Sequence, residues 1–104
     1  INIPEGVTAI GDSALSVTGL TSVTIPTSMT NIDARVFYGC GSLESIVIPK
    51  SITSIGINAF RNCSKLANVY YTGTSAEWSA IAIDSSNPYL INATKHYEYV
   101  IPTA

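Results

Sequence analysis

One feature constrains this chain more than any other: it repeats. Ile-Pro occurs at Ile3-Pro4, Ile25-Pro26 and Ile48-Pro49, at spacings of 22 and 23 residues. Sliding the chain on those anchors aligns further apolar columns: Val7, Met29 and Ile52; Ile10, Ile32 and Ile55; Ala14, Val36 and Ala59; Leu15, Phe37 and Phe60; Leu20, Leu43 and Leu66; Val23, Ile46 and Val69. A unit this short cannot bury its own apolar side. Stacked units can, because equivalent residues then lie on one another along a continuous core. The period therefore predicts a solenoid of three coils over residues 1–71, with residues 72–104 as a C-terminal cap.

Each coil carries a Val-x-Ile alternation, in Leu20–Pro26, Leu43–Pro49 and Leu66–Thr72. Period-2 alternation reads as a strand with one face inward. Stacked coils turn these strands into one parallel sheet, and proline, which has no N–H to give, marks the ladder's end. Val7–Gly11, Met29–Asp33 and Ile52–Gly56 read as a second short strand per coil. The Ala-Leu or Ala-Phe steps after them fit a single helical turn, being too short for an independent helix. The fold class is thus mainly β with short helical turns, wound as a right-handed solenoid.

The period fades after Tyr71. Thr74-Ser75-Ala76-Glu77 is a capping-box pattern and predicts a short helix over about 75–82. Trp78 and Ile81 share its inner side. Asn87-Pro88 reads as a turn, and the alternation Thr94–Val100 as a final strand over about 94–100. Trp78, Tyr89, Tyr97 and Tyr99 are the residues expected to cover the last coil. Nothing covers coil one, where Pro4, Val7, Ile10 and Leu15 face solvent or a further coil. The chain therefore reads as one structural domain, a piece of a longer array, with end-to-end association through that uncovered coil as a plausible contact.

The string "IPKSITSIGINAFRNCSKLANV" resembles the BspA-type leucine-rich repeat of bacterial and protist surface proteins. Coil three matches it nearly throughout. Coil two departs at Asp33 and Val36, and coil one has Leu15 and Val17 where the family has Phe and Cys. The segments "VYYTGTSAEWSAIAI" and "NATKHYEY" are similar to the tail that often closes such arrays. The resemblance implies a leucine-rich-repeat solenoid, an extracellular or cell-surface location and a binding or adhesion role. It does not name a ligand, because fold does not set function.

The residue chemistry points away from catalysis. Net charge is −2 and the five Lys/Arg are scattered, so nucleic acid and anionic membranes are poor partners. No apolar run approaches the roughly 20 residues of a membrane helix, so no membrane insertion is expected of these residues. His96 is the sole histidine and no nucleophile elbow accompanies it; it reads as an ordinary strand residue. The carboxylates fall on solvated surface, with no paired geometry for glycoside chemistry. Asp84-Ser85-Ser86-Asn87 has only half of a calcium loop and reads as a turn. Cys40 and Cys63 share a column with Val17. A disulfide between adjacent coils is geometrically conceivable, but buried free thiols behaving as small apolar side chains fit the column better. No metal-ligand or cofactor pattern is present, so no cofactor is expected. Asn62-Cys63-Ser64 and Asn92-Ala93-Thr94 match the glycosylation sequon, which matters only in a glycosylating host.

What remains is a surface. The outward positions of the main sheet are Ser22, Ser45 and Asn68 in one column and Thr24, Val47 and Tyr70 in the next. Solenoids present such faces to partners, and Tyr is a frequent anchor. The expected role is a non-catalytic cell-surface module that recognises a host or matrix protein through this face. A structural spacer is the alternative, and a carbohydrate-binding accessory module the remote one.

Overall fold

A computed structural model of the chain describes residues 2–16 and 18–101. Among these residues the strands form two parallel sheets, one on each side of a shared core. The main sheet contains β1 (Ser22–Thr24), β3 (Ser45–Ile48), β5 (Asn68–Tyr71) and β7 (Thr94–His96), in that order. The second contains β2 (Asn31–Ile32), β4 (Ser54–Ile55) and β6 (Ala82–Ile83). The register reproduces the sequence columns: Val23 pairs with Ile46 and Ile46 with Val69, while Ile32 pairs with Ile55. The expected segment Val7–Gly11 of coil one forms no strand; it stands at the edge and makes no ladder with β2. Beyond β1, the start of the described chain meets the main sheet at an isolated bridge, Asn2 to Thr24.

The ladders are the core. Val23, Ile25, Met29, Ile32, Phe37, Leu43, Ile46, Ile48, Ile52, Ile55, Phe60 and Val69 are all at most 2% exposed. The Phe37 and Phe60 rings stack at 5.1 Å and 14°. Cys40 and Cys63 are buried free thiols. Each donates to the carbonyl one coil back, Cys40 to Leu15 and Cys63 to Phe37, both at 3.1 Å. Val17, assigned above to their column, lies outside the described residues; Thr18 is the coil-one side chain that meets Cys40, Oγ1 to Sγ at 3.5 Å. Burial, with the neighbouring Cys40 adding to it, pushes the Cys63 thiol up to about 12. Since the thiolate is the nucleophile, iodoacetamide at pH 8 should alkylate Cys63 more than about a hundredfold slower in the native chain than in denaturant. Mass-spectrometric timing of the two reactions checks this, and comparable rates would contradict the burial.

Left-handed backbone recurs at equivalent turn positions. Ser13, Arg35 and Asn58 have φ of 64°, 60° and 56° and share one column; Gly39 and Asn62 share another at 73° and 64°. Asn and Gly tolerate this region, Arg does not favour it, and the guanidinium of Arg35 is meanwhile held by both oxygens of Asp12 one coil back. Hydroxyls continue the stacking outside the sheets: Ser28 Oγ donates to the Val7 carbonyl and Ser51 Oγ to that of Met29, at 2.6 and 2.8 Å. Gly56 has its own reason: a Cβ there would lie 2.9 Å from the backbone nitrogen of Ala34.

Residues 72–96 do not repeat in sequence, yet they follow the path of a coil. β6 pairs with β4 and β7 with β5, both parallel. Tyr70 and His96 are 26 positions apart in that register, against 23 between Val47 and Tyr70. The helix α1 (Ser75–Ser79) accommodates extra length and has the capping box expected of Thr74 and Glu77. Glu77 is held below the usual carboxylate range chiefly by the Thr74 backbone N–H. The helix ends at Ser79 rather than about 82, because Ala82 and Asp84 donate instead to the carbonyls of Thr53 and Ile55, just before and within β4. A second short helix, α2 (Pro88–Asn92), follows where only a turn was expected. The last strand ends at His96 rather than about 100. Glu98 turns left-handed at φ 55°, and Glu98 and Tyr99 donate back to Gly73 and Tyr71.

The covering of the last coil also differs from expectation. Trp78 is buried and packs edge-on against Tyr71 at 5.1 Å. Tyr89 and Tyr97, however, are 40% and 42% exposed, and Tyr99 lies on the outer face against Tyr70. Ile81 and Leu90 complete the burial. Lys95 occupies the Val23–Ile46–Val69 column, its ammonium bonded to the Ile91 carbonyl and 5.8 Å over the Trp78 ring. An inward-pointing lysine on an edge strand discourages another strand from adding there.

Candidate functional site

The outer face of the main sheet is built by alternation. On β1, β3 and β5 the inward residues are buried, while those between them are exposed or half-buried. Register then aligns the outward ones. Ser22, Ser45, Asn68 and Thr94 form one column; Thr24, Val47, Tyr70 and His96 form the next. All six residues named from the sequence therefore lie on one face. None of the eight carries a formal charge except through protonation of His96.

Three contributors were missed: Thr94, His96 and Tyr99. The signal for the first two was available, since Thr-Lys-His alternates as the coil strands do, but only if the cap is counted as a fourth strand. The imidazole of His96 stacks on Tyr70 at 4.6 Å and 14°. Its Nε2 lies 2.9 Å from Asn68 Oδ1. Tyr99 leans on the same Tyr70 ring at 5.0 Å and 50°. Its position could not be read from alternation, because it follows the left-handed turn at Glu98. His96 is thus more than an ordinary strand residue: it is one wall of a ring cluster at the cap end of the face.

Elsewhere the chemistry is sparse. A cleft of about 210 Å³ lies beside α1, lined by Lys50, Ile52, Thr53, Tyr71, Glu77 and Ile81. Its one carboxylate, Glu77, is occupied as the helix cap, accepting from the Thr74 N–H at 2.9 Å. The turn at Asp84 closes on itself, Asp84 Oδ1 accepting from the Ser86 N–H. Among the described residues no group of three or more His, Cys, Asp or Glu could hold a metal. Among them too, no helix is long and apolar enough to cross a membrane.

A family model, the BspA type leucine rich repeat region, in six copies, matches residues 1–100. The chain belongs to the BspA-type leucine-rich-repeat family. The match runs through the cap as well as the coils, in keeping with a cap that follows a coil's path. Repeats of this BspA type are generally non-catalytic. Among solved structures, the chain is similar to a leucine rich cell surface protein of Faecalibacterium prausnitzii A2-165, at 27% identity and a TM-score of 0.48. That similarity covers 82% of this chain and 35% of the other, so this BspA-type chain spans about a third of that protein's length. No curated protein matches it.

Proposed function

We propose that this chain is a non-catalytic recognition module of a cell-surface protein, and that it holds a host or matrix protein against the outer face of its main sheet. The observation that carries this reading is the make-up of that face. Tyr is set among Ser, Thr, Asn and Val on rigid paired strands, without Lys, Arg, Asp or Glu in the two columns. Tyr offers a large rigid contact at low entropic cost, and short polar side chains adapt their hydrogen bonds to a partner, as in antibody contact surfaces.

The test is a binding screen of the chain against immobilised extracellular-matrix proteins, paired with the double variant Ser22→Arg/Ser45→Arg. Two arginines on the flat half of the face should weaken any binding so found at least tenfold. Thr53→Arg, just before β4 on the other side of the coils, should leave it intact. If the face variant keeps every activity of the parent protein, the coils are a spacer and this reading fails.

A further inference from the structure

One column of the main sheet changes height along the solenoid. Thr24 and Val47 are short, and Tyr70 and His96, next in the same register, are tall. The face therefore has a floor and, at its cap end, a wall of rings. Hydrogen bonding fixes the wall's polarity. A carboxamide oxygen only accepts, so the Nε2 of His96 donates to Asn68 Oδ1, which leaves Nδ1 as the ring's other hydrogen-bonding atom. The amide nitrogen of Asn68 has no partner among the described residues. Lys95, the cation of the same strand, is turned away to Ile91 and Trp78.

We propose that this corner, Tyr70, His96, Tyr99 and Asn68, is a subsite for a neutral hexopyranose, the sugar of a glycan that the partner carries. A pyranose has an apolar C–H face and a rim of hydroxyls, each able to donate and accept. The C–H face packs on the rings, and the rim meets the Asn68 amide and His96 Nδ1. An aliphatic side chain in the same place would leave both polar groups unpaired, at a cost. A charged sugar would lose hydration and find no counter-ion on the two columns. The inference rests on the outer face being the contact surface and adds the chemical class that its cap end selects.

The experiment is an NMR titration of the chain with methyl β-glucopyranoside, methyl β-galactopyranoside and methyl α-mannopyranoside, with N-acetylneuraminic acid as the charged control. At least one neutral sugar should give saturable shifts centred on Tyr70, His96 and Tyr99, with a Kd of about 1 mM, as befits so small a ligand. Tyr70→Ala and His96→Ala should each weaken it at least tenfold, and Tyr70→Phe should retain it. His96 is exposed, so its variant reads the site even if Tyr70→Ala loosens the sheet. No saturable shift with any of the three, shifts unchanged in both alanine variants, or preference for the charged sugar each overturns the proposal. Matrix-protein binding is read separately through Ser22 and Ser45. Its persistence without sugar binding removes only the subsite; sugar binding without protein binding removes only the protein reading.

Discussion

Replacing Phe60 by alanine should destabilise the chain by about 3–5 kcal/mol, the range for a large aromatic removed from a packed core. Phe60 is fully buried and stacks on Phe37 from the coil before it. Truncation removes one member of a ladder whose neighbours are held in place by their own sheet bonds, so the cavity cannot collapse fully. The backbone of the same residue also joins the last coil to the cap, because its N–H is taken by Asn87. A guanidinium titration read by circular dichroism gives the number. Thr24→Ala is the control: Thr24 is on the outer face, and its loss should cost well under about 1 kcal/mol. Equal effects at the two positions would refute the assignment of inside and outside.

The second large effect is expected at Asn87. This residue is fully buried and polar, and its side chain makes three bonds. Its Oδ1 accepts from the Phe60 N–H at 2.8 Å, and its Nδ2 donates to the carbonyls of Gly56 and Asp84, both at 3.0 Å. The reason lies in the ladder. In the same column Leu15 donates to Val36, and Phe37 to Ala59. After Phe60 the next segment presents no carbonyl there, and the carboxamide oxygen takes its place. Beside it, Ser86 Oγ accepts from the Asn58 N–H at 2.7 Å, where Arg35 had the Ile57 carbonyl. Asn87→Ala leaves the buried Phe60 N–H without its partner and takes one of two donors from each of the Gly56 and Asp84 carbonyls, which keep the Ala59 and Asn87 N–H groups. At roughly 1–3 kcal/mol for the one buried group left unpaired, plus a weaker loss at the two carbonyls, a cost of about 2 kcal/mol is expected. Hydrogen exchange gives a sharper readout, since the Phe60 amide should lose protection before Phe37, whose acceptor is untouched. Equal protection at both amides in the variant would show that Asn87 does not terminate the ladder.

Much of the fold was legible because each coil restates the same information. A column such as Val23, Ile46, Val69 says three times which side of the strand is buried, and its register follows from stacking like on like. The six outward residues were legible by the same alternation. Lys95 shows where this fails. Read alone, Thr-Lys-His is a polar strand; only its pairing with β5 shows that Lys95 ends an apolar column and that His96 extends the Tyr70 column. The left-handed turns were equally hidden. Asn58 and Asn62 are residues that tolerate such backbone, but Ser13 and Arg35 in the same columns give no such hint.

The amino-acid sequence by itself determined the period, the stacking of like residues on like, the buried and exposed sides of each strand, and the family. Those features depend on residue type at fixed spacing, which repetition makes unambiguous. The tertiary structure alone decided how the array closes and what stands on its face. Asn87 meets Phe60, and His96 meets Tyr70, across separations that match no repeat. Such contacts depend on where the fourth turn of chain comes to rest against the third, and that position is set by packing and hydrogen-bond satisfaction between segments that do not resemble each other.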